Sequence, residues 1–130
     1  MAKYLLLLRE DPAQYAHMSP DEIQAIIEKY TAWGESLRGA GKMHAGMKLT
    51  DDGGWHVRRG GSAVTTTDGP YAEAKEAVGG YLFLTVADLD EATAIARQCP
   101  GLPIGLTVEV RPVVAFSPVL NDVRAHPGDA

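Results

Sequence analysis

The densest run of chemically capable side chains is TDGPYAEAKE, residues 67–76. Within it Asp68 can serve as a general base or a ligand acceptor, and Tyr71 can offer a hydroxyl or a ring to stack on. Glu73 and Lys75 add one charge of each sign. His44 brings an imidazole, the side chain best suited to exchanging protons at neutral pH. If His44 and Asp68 share a cleft, the pair can move a proton to or from a bound substrate. Arg9, at the end of an apolar run, either anchors a ligand carboxylate or pairs with its neighbours Glu10 or Asp11.

Each of these residues also has a plainer explanation. Asp68-Gly69-Pro70 is turn chemistry, because aspartate can hydrogen-bond the backbone that follows it and glycine supplies unusual φ. Tyr71 fits a partly buried aromatic, Glu73 and Lys75 fit a solvated face, and His44 fits a surface position on a strand. His17, His56 and His126 sit in loop, hairpin and tail and are weaker candidates. No two histidines have ligand spacing, so no metal site is expected. The paired glycines at 53–54 and 60–61 flank strands and open no helix, so no phosphate loop is expected either. The residues call for no cofactor.

The elements that must position these side chains are legible. KYLLLLR, residues 3–9, is apolar on both alternating faces and reads as a fully buried strand. Ser19-Pro20-Asp21-Glu22 then opens a helix, with Ser19 as N-cap, proline in the first position and Glu22 closing a capping box. Ile23, Ile26, Ile27, Tyr30, Trp33 and Leu37 recur at helical spacing as one apolar stripe, and Gly39 and Gly41 end it.

MHAGMKL, residues 43–49, alternates, with Met43, Ala45, Met47 and Leu49 on one face and His44, Gly46 and Lys48 on the other. WHVRR and SAVTTT, joined across Gly60-Gly61, form a hairpin. YLFLTV, residues 81–86, is again apolar on both faces. Asp88 caps a second helix, with a capping box to Glu91 and a stripe of Leu89, Ala92, Ile95, Ala96 and Cys99. IGLTVEVR, residues 104–111, alternates with Ile104, Leu106, Val108 and Val110 inward.

Without the hairpin this order is βαβ twice over, the ferredoxin-like split βαβ arrangement of an α+β domain. That topology puts the first and third core strands at the centre and the others at the edges. The two doubly apolar strands fall in the central places. With both helices on one sheet face, Leu5 and Leu7 on the other face form an apolar patch that a second copy would cover, so a homodimer is expected. The domain spans residues 1–114, and residues 115–130 form a tail that is partly ordered or wraps the partner subunit through Val119, Leu120 and Val123.

The bulk numbers narrow the function classes. A formal net charge of −5 argues against a nucleic-acid surface, and Arg58-Arg59 is the one adjacent basic pair, in a hairpin tip. Cys99 is the sole cysteine, which rules out an intrachain disulfide. YLLLL is too short for a membrane span or a signal-peptide core, so no membrane partner and a cytoplasmic location are expected.

KYLLLLRED, SPDEIQAIIEKYTAWGESLRGAG, TDGPYAEAKEAVGGYLFLTVADLDEA and VEVRPV together resemble the YCII-related proteins, specifically the branch named for an Asp-Gly-Pro-Phe motif. The resemblance covers residues 3–113. Tyr71 stands where the name-giving motif has Phe, and Ala74 where relatives often carry Thr. The resemblance implies a bacterial protein with a dimeric α/β-barrel type of assembly. A His–Asp pair suggested as the centre of YCII-like relatives places its histidine on the first helix. Residues 21–37 contain none, so that pair does not carry over. The branch is also associated with sigma factors of the extracytoplasmic-function class.

Two functions follow as expectations. In the first, the protein binds or transforms a small organic acid or carbonyl compound by cofactor-free acid–base chemistry, using Asp68 and His44, with Arg9, Tyr71, Glu73 and Lys75 around the ligand. In the second, it is a non-catalytic regulatory module linked to sigma-factor-dependent transcription.

Overall fold

A computed structural model describes residues 1–68 and 77–114 of the chain. The first strand, β1, runs Ala2–Glu10, and a short 3-10 turn at Pro12–Tyr15 leads to helix α1, Pro20–Gly39. Then come β2 (Met43–Lys48), the hairpin β3 (Trp55–Gly60) and β4 (Ala63–Asp68), β5 (Ala77–Val86), α2 (Leu89–Ala96) and β6 (Thr107–Pro112). Four strands form one antiparallel sheet in the order β2-β5-β1-β6, and β3-β4 pair only with each other. This is the expected α+β, ferredoxin-like arrangement with an inserted hairpin, and the doubly apolar strands β1 and β5 are central. The Asp-Gly-Pro turn beyond Asp68, with Tyr71, Glu73 and Lys75, and the tail from 115 onward lie outside the described residues.

Both helices cover the same sheet face. Tyr4, Leu6 and Leu8 of β1, Leu82, Leu84 and Val86 of β5, Trp33 and Leu37 of α1, and Ala92, Ile95 and Ala96 of α2 make one core. The helix starts explain the entry angles. Ser19 accepts from the Glu22 amide at 3.1 Å and Glu22 returns the bond to the Ser19 amide at 3.1 Å. At α2 the reciprocal bond is displaced by one residue: Asp88 accepts from the Glu91 amide, but Glu91 accepts from Ala87 and pairs with Lys42 at 3.1 Å. Helix α2 ends before Cys99, which is buried in the turn that follows, and Ile104 falls in a 3-10 turn ahead of β6.

The expected faces of β2 need correction. Its pairing with β5 shifts between Met43 and Ala45, leaving His44 as a bulge residue. Beyond a bulge the alternation changes phase. Met43 stays in the core, but Ala45 and Met47 now share the open sheet face with Phe83 and Tyr81, and Gly46 and Lys48 turn toward the helices. Met47 is 65% exposed as a result.

The apolar stripe of α1 is also only half seated. Trp33 and Leu37 are buried, whereas Ile23, Ile26 and Tyr30 are half-buried and Ile27 is exposed. The sheet side of the cleft lined by these isoleucines carries Gly46, Gly79 and Gly80, which offer no side chains to meet them. The gap between them is an open cleft.

Candidate functional site

The cleft holds about 770 Å³, within the usual range for a small-molecule site. Ile23, Ile26, Tyr30, Met43 and Leu82 supply apolar walls, and Glu10, Tyr15, Lys48 and Asp51 supply polar groups. Tyr30 lies edge-on to Trp33, with ring centroids 6.1 Å apart, and its hydroxyl is 3.5 Å from the Cys99 sulfur.

Glu10 is the unusual member. Period-two alternation in β1 puts it in phase with Tyr4, Leu6 and Leu8, so the strand carries a carboxylate onto its core face. It is 5% exposed, the one buried charged residue among those described. Burying a carboxylate is costly unless partners hold it. Tyr15, delivered by the 3-10 turn after β1, donates its hydroxyl to Glu10 Oε2. Lys48 Nζ, turned to this side by the β2 bulge, lies 3.1 Å from Glu10 Oε1. That contact is an ion pair without hydrogen-bond direction, so Oε1 has no hydrogen-bond partner among the described residues. The indole N–H of Trp33, also beside the cleft, has none either.

Room for the carboxylate comes from β5. A second register shift, between Leu8 and Arg9, pairs Leu8 with Gly80 and Arg9 with Val78, leaving Gly79 as the extra residue. A Cβ at Gly79 would lie 2.2 Å from Glu10 Oε1. Glu10 thus occupies the space a side chain at position 79 would need.

The electrostatics assign fixed roles to two of the partners. Burial first, then the hydrogen bond and charge of Glu10, push the Tyr15 hydroxyl far above the ordinary phenol range. Burial pulls the Lys48 ammonium down, but the nearby carboxylates of Asp51 and Glu10 outweigh it and hold the group above its ordinary value. Tyr15 thus stays a donor and Lys48 a cation near neutrality.

Of the residues expected from sequence, His44, Asp68 and Arg9 are described, and they sit away from the Glu10 cluster. His44 is exposed on the bulge of β2, its ring 6.3 Å from that of Phe83 on the open face. Asp68 is exposed at the end of β4, paired with Trp55 of the hairpin. Neither lines the cleft. Arg9 pairs with Glu109 of β6 at 2.7 Å, not with Glu10 or Asp11, and Arg111 holds the other Glu109 oxygen at 2.8 Å. Tyr71, Glu73 and Lys75 lie outside the described residues. Two signals would have found the cleft group: the phase of Glu10 in β1, and a Gly-Gly pair inside an apolar strand, which marks a bulge.

Comparison with known proteins gives a family, a relative and a structural neighbour. The profile of the YCII-related domain covers residues 2–117. An uncharacterized protein of Rhizobium meliloti is 27% identical over 117 residues, covering 88% of this chain and 94% of that one. Among solved structures, 5-chloro-2-hydroxyhydroquinone dehydrochlorinase from Burkholderia phenoliruptrix, in complex with 2,5-dihydroxybenzoquinone, aligns with a TM-score of 0.45 and 18% identity. That alignment covers 88% of this chain and 95% of the dehydrochlorinase.

Proposed function

The chain belongs to the YCII-related domain family, and on that premise we propose that it binds a small organic molecule in the α1 cleft and acts on it by cofactor-free acid–base chemistry. The observation that carries this reading is the buried Glu10 carboxylate at an apolar cleft, with a hydroxyl donor on one oxygen and no hydrogen bond on the other. Tyr15 is held protonated and Lys48 charged, which leaves the carboxylates of Glu10 and Asp51 as proton acceptors, and Glu10 is the buried one of the two, at the cleft's apolar body. Tyr15 then steadies the carboxylate, Lys48 balances its charge, and the isoleucines of α1 hold the apolar body of the ligand.

The bare sheet face supports a homodimer as the functional unit. Leu5, Leu7 and Phe83 stand on it uncovered by either helix, beside the Arg9–Glu109–Arg111 cluster. Among the described residues no helix is long and apolar enough to cross a membrane.

A screen of small organic fragments by amide NMR tests the site. Hits are expected to shift the Gly79 and Gly80 amides and the Trp33 indole, to weaken about ten-fold in Glu10→Gln, and to persist in Asp68→Ala. Fragments that leave those resonances still, or that bind Glu10→Gln normally and are lost with Asp68→Ala, would move the site back to the Asp68 region.

A further inference from the structure

The polar end of the cleft is well supplied with acceptors and short of donors. Glu10 receives one directed hydrogen bond, from Tyr15, although a carboxylate can accept about four. Tyr15 commits its proton to Glu10, so its oxygen can only accept from a guest. Lys48 has three N–H groups, and three acceptors already surround Nζ: Leu49 O at 2.6 Å, Asp51 Oδ1 at 2.7 Å and Glu10 Oε1 at 3.1 Å. Two carboxylates against one ammonium leave this end with one net negative charge. Glu35 and Arg38 of α1 also border the cleft, and their charges offset each other.

We infer that this end selects ligands whose head group donates hydrogen bonds, an alcohol, phenol or amine, and turns away carboxylates and phosphates. The inference rests on the proposed use of the cleft and refines its substrate class, replacing the organic acid expected from sequence. Lys48 is the movable part: its side chain is 60% exposed, while that of Glu10 is 6% exposed. A ligand head reaches Oε1 by displacing that flexible chain. An alkylammonium then takes the position of Nζ without changing the charge, and a hydroxyl gives Oε1 the hydrogen bond it lacks. A carboxylate at this end would meet the charges of Glu10 and Asp51, with the Lys48 ammonium already shared between them.

A matched series separates the outcomes. The probes are 2-phenylethanol, phenethylamine, 3-phenylpropanoate and ethylbenzene, titrated against the intact protein and followed at Gly79, Gly80 and the Trp33 indole. The alcohol and the amine are expected to bind about ten-fold tighter than the carboxylate, or about 1.4 kcal/mol. Glu10→Gln should compress that difference. Lys48→Met, at a mostly exposed side chain, should widen it by removing the cation. It decides the matter by itself if Glu10→Gln fails to fold. Carboxylate binding equal to or tighter than the amine in the native protein, or unchanged preference in Lys48→Met, overturns the inference while the cleft stands as a site. Silence from all four probes, ethylbenzene included, overturns the cleft itself.

Discussion

Gly79→Ala is the sharpest test of how the site is built. The added methyl would lie 2.2 Å from Glu10 Oε1, 2.6 Å from Cδ and 2.8 Å from Cγ, an overlap of about 1 Å or more against ordinary contact. Gly79 is not among the glycines with positive φ, so alanine is acceptable to the backbone and the clash is the whole penalty. Overpacking of this kind costs about 1–3 kcal/mol. If Glu10 is driven out it also loses the Tyr15 bond, worth about 1.5–3 kcal/mol for a charged acceptor. Since relief of one partly spares the other, the expected cost is roughly 2–4 kcal/mol, a fall in Tm of roughly 8–16 °C for a chain of this length. In a Glu10→Ala background the same methyl meets no carboxylate. There Gly79→Ala should be neutral or stabilising by about 0.5 kcal/mol, because alanine reduces the freedom of the unfolded chain. Urea denaturation of the four proteins of the cycle gives the coupling directly. Equal cost of Gly79→Ala with and without Glu10 would refute the assignment of that glycine to the carboxylate.

Further outcomes follow from other contacts. Tyr15 and Tyr30, two of the five tyrosines, are both raised, by burial first and then by Glu10 and Cys99 respectively. A raised folded value gives stability that is complete below the unfolded phenol value of about 10 and is lost as pH climbs above it, so ultraviolet phenolate absorbance should show these two ionising late and together with unfolding. Ser19→Ala removes the hydroxyl that caps α1 and should cost about 1 kcal/mol in urea denaturation. Light scattering at micromolar concentration should give a dimer mass for the native chain and a monomer mass for Leu7→Asp; a monomer mass for the native chain would sink the dimer.

The sequence made the topology legible because the physics there is local and redundant. Ser19 and Glu22 specify a helix start within four consecutive residues, and the doubly apolar runs of β1 and β5 can only be central strands. The candidate site was less legible because two bulges define it. Alternation through MHAGMKL put Lys48 on the wrong face, since the extra residue at His44 reverses every position after it. The apolar stripe of α1 announced a packed helix, but whether a stripe is seated depends on what lies opposite, and three glycines lie there. Chemically capable residues cluster along the chain at Asp68–Lys75, whereas Glu10 stands alone beside a run of leucines and gains its partners only through the fold.

The unseated half of α1 has a consequence for the lifetime of the protein. Ile23, Ile26 and Ile27 are core-type side chains with no core to meet, so the empty chain forgoes burial that its own sequence provides for. A guest in the cleft supplies the missing contacts and shifts the folding equilibrium by mass action, by about 2.7 kcal/mol at a hundred times its dissociation constant. If the cleft binds its guest as proposed, resistance to proteolysis rises and falls with the concentration of that small molecule, and the abundance of the protein follows the ligand's supply.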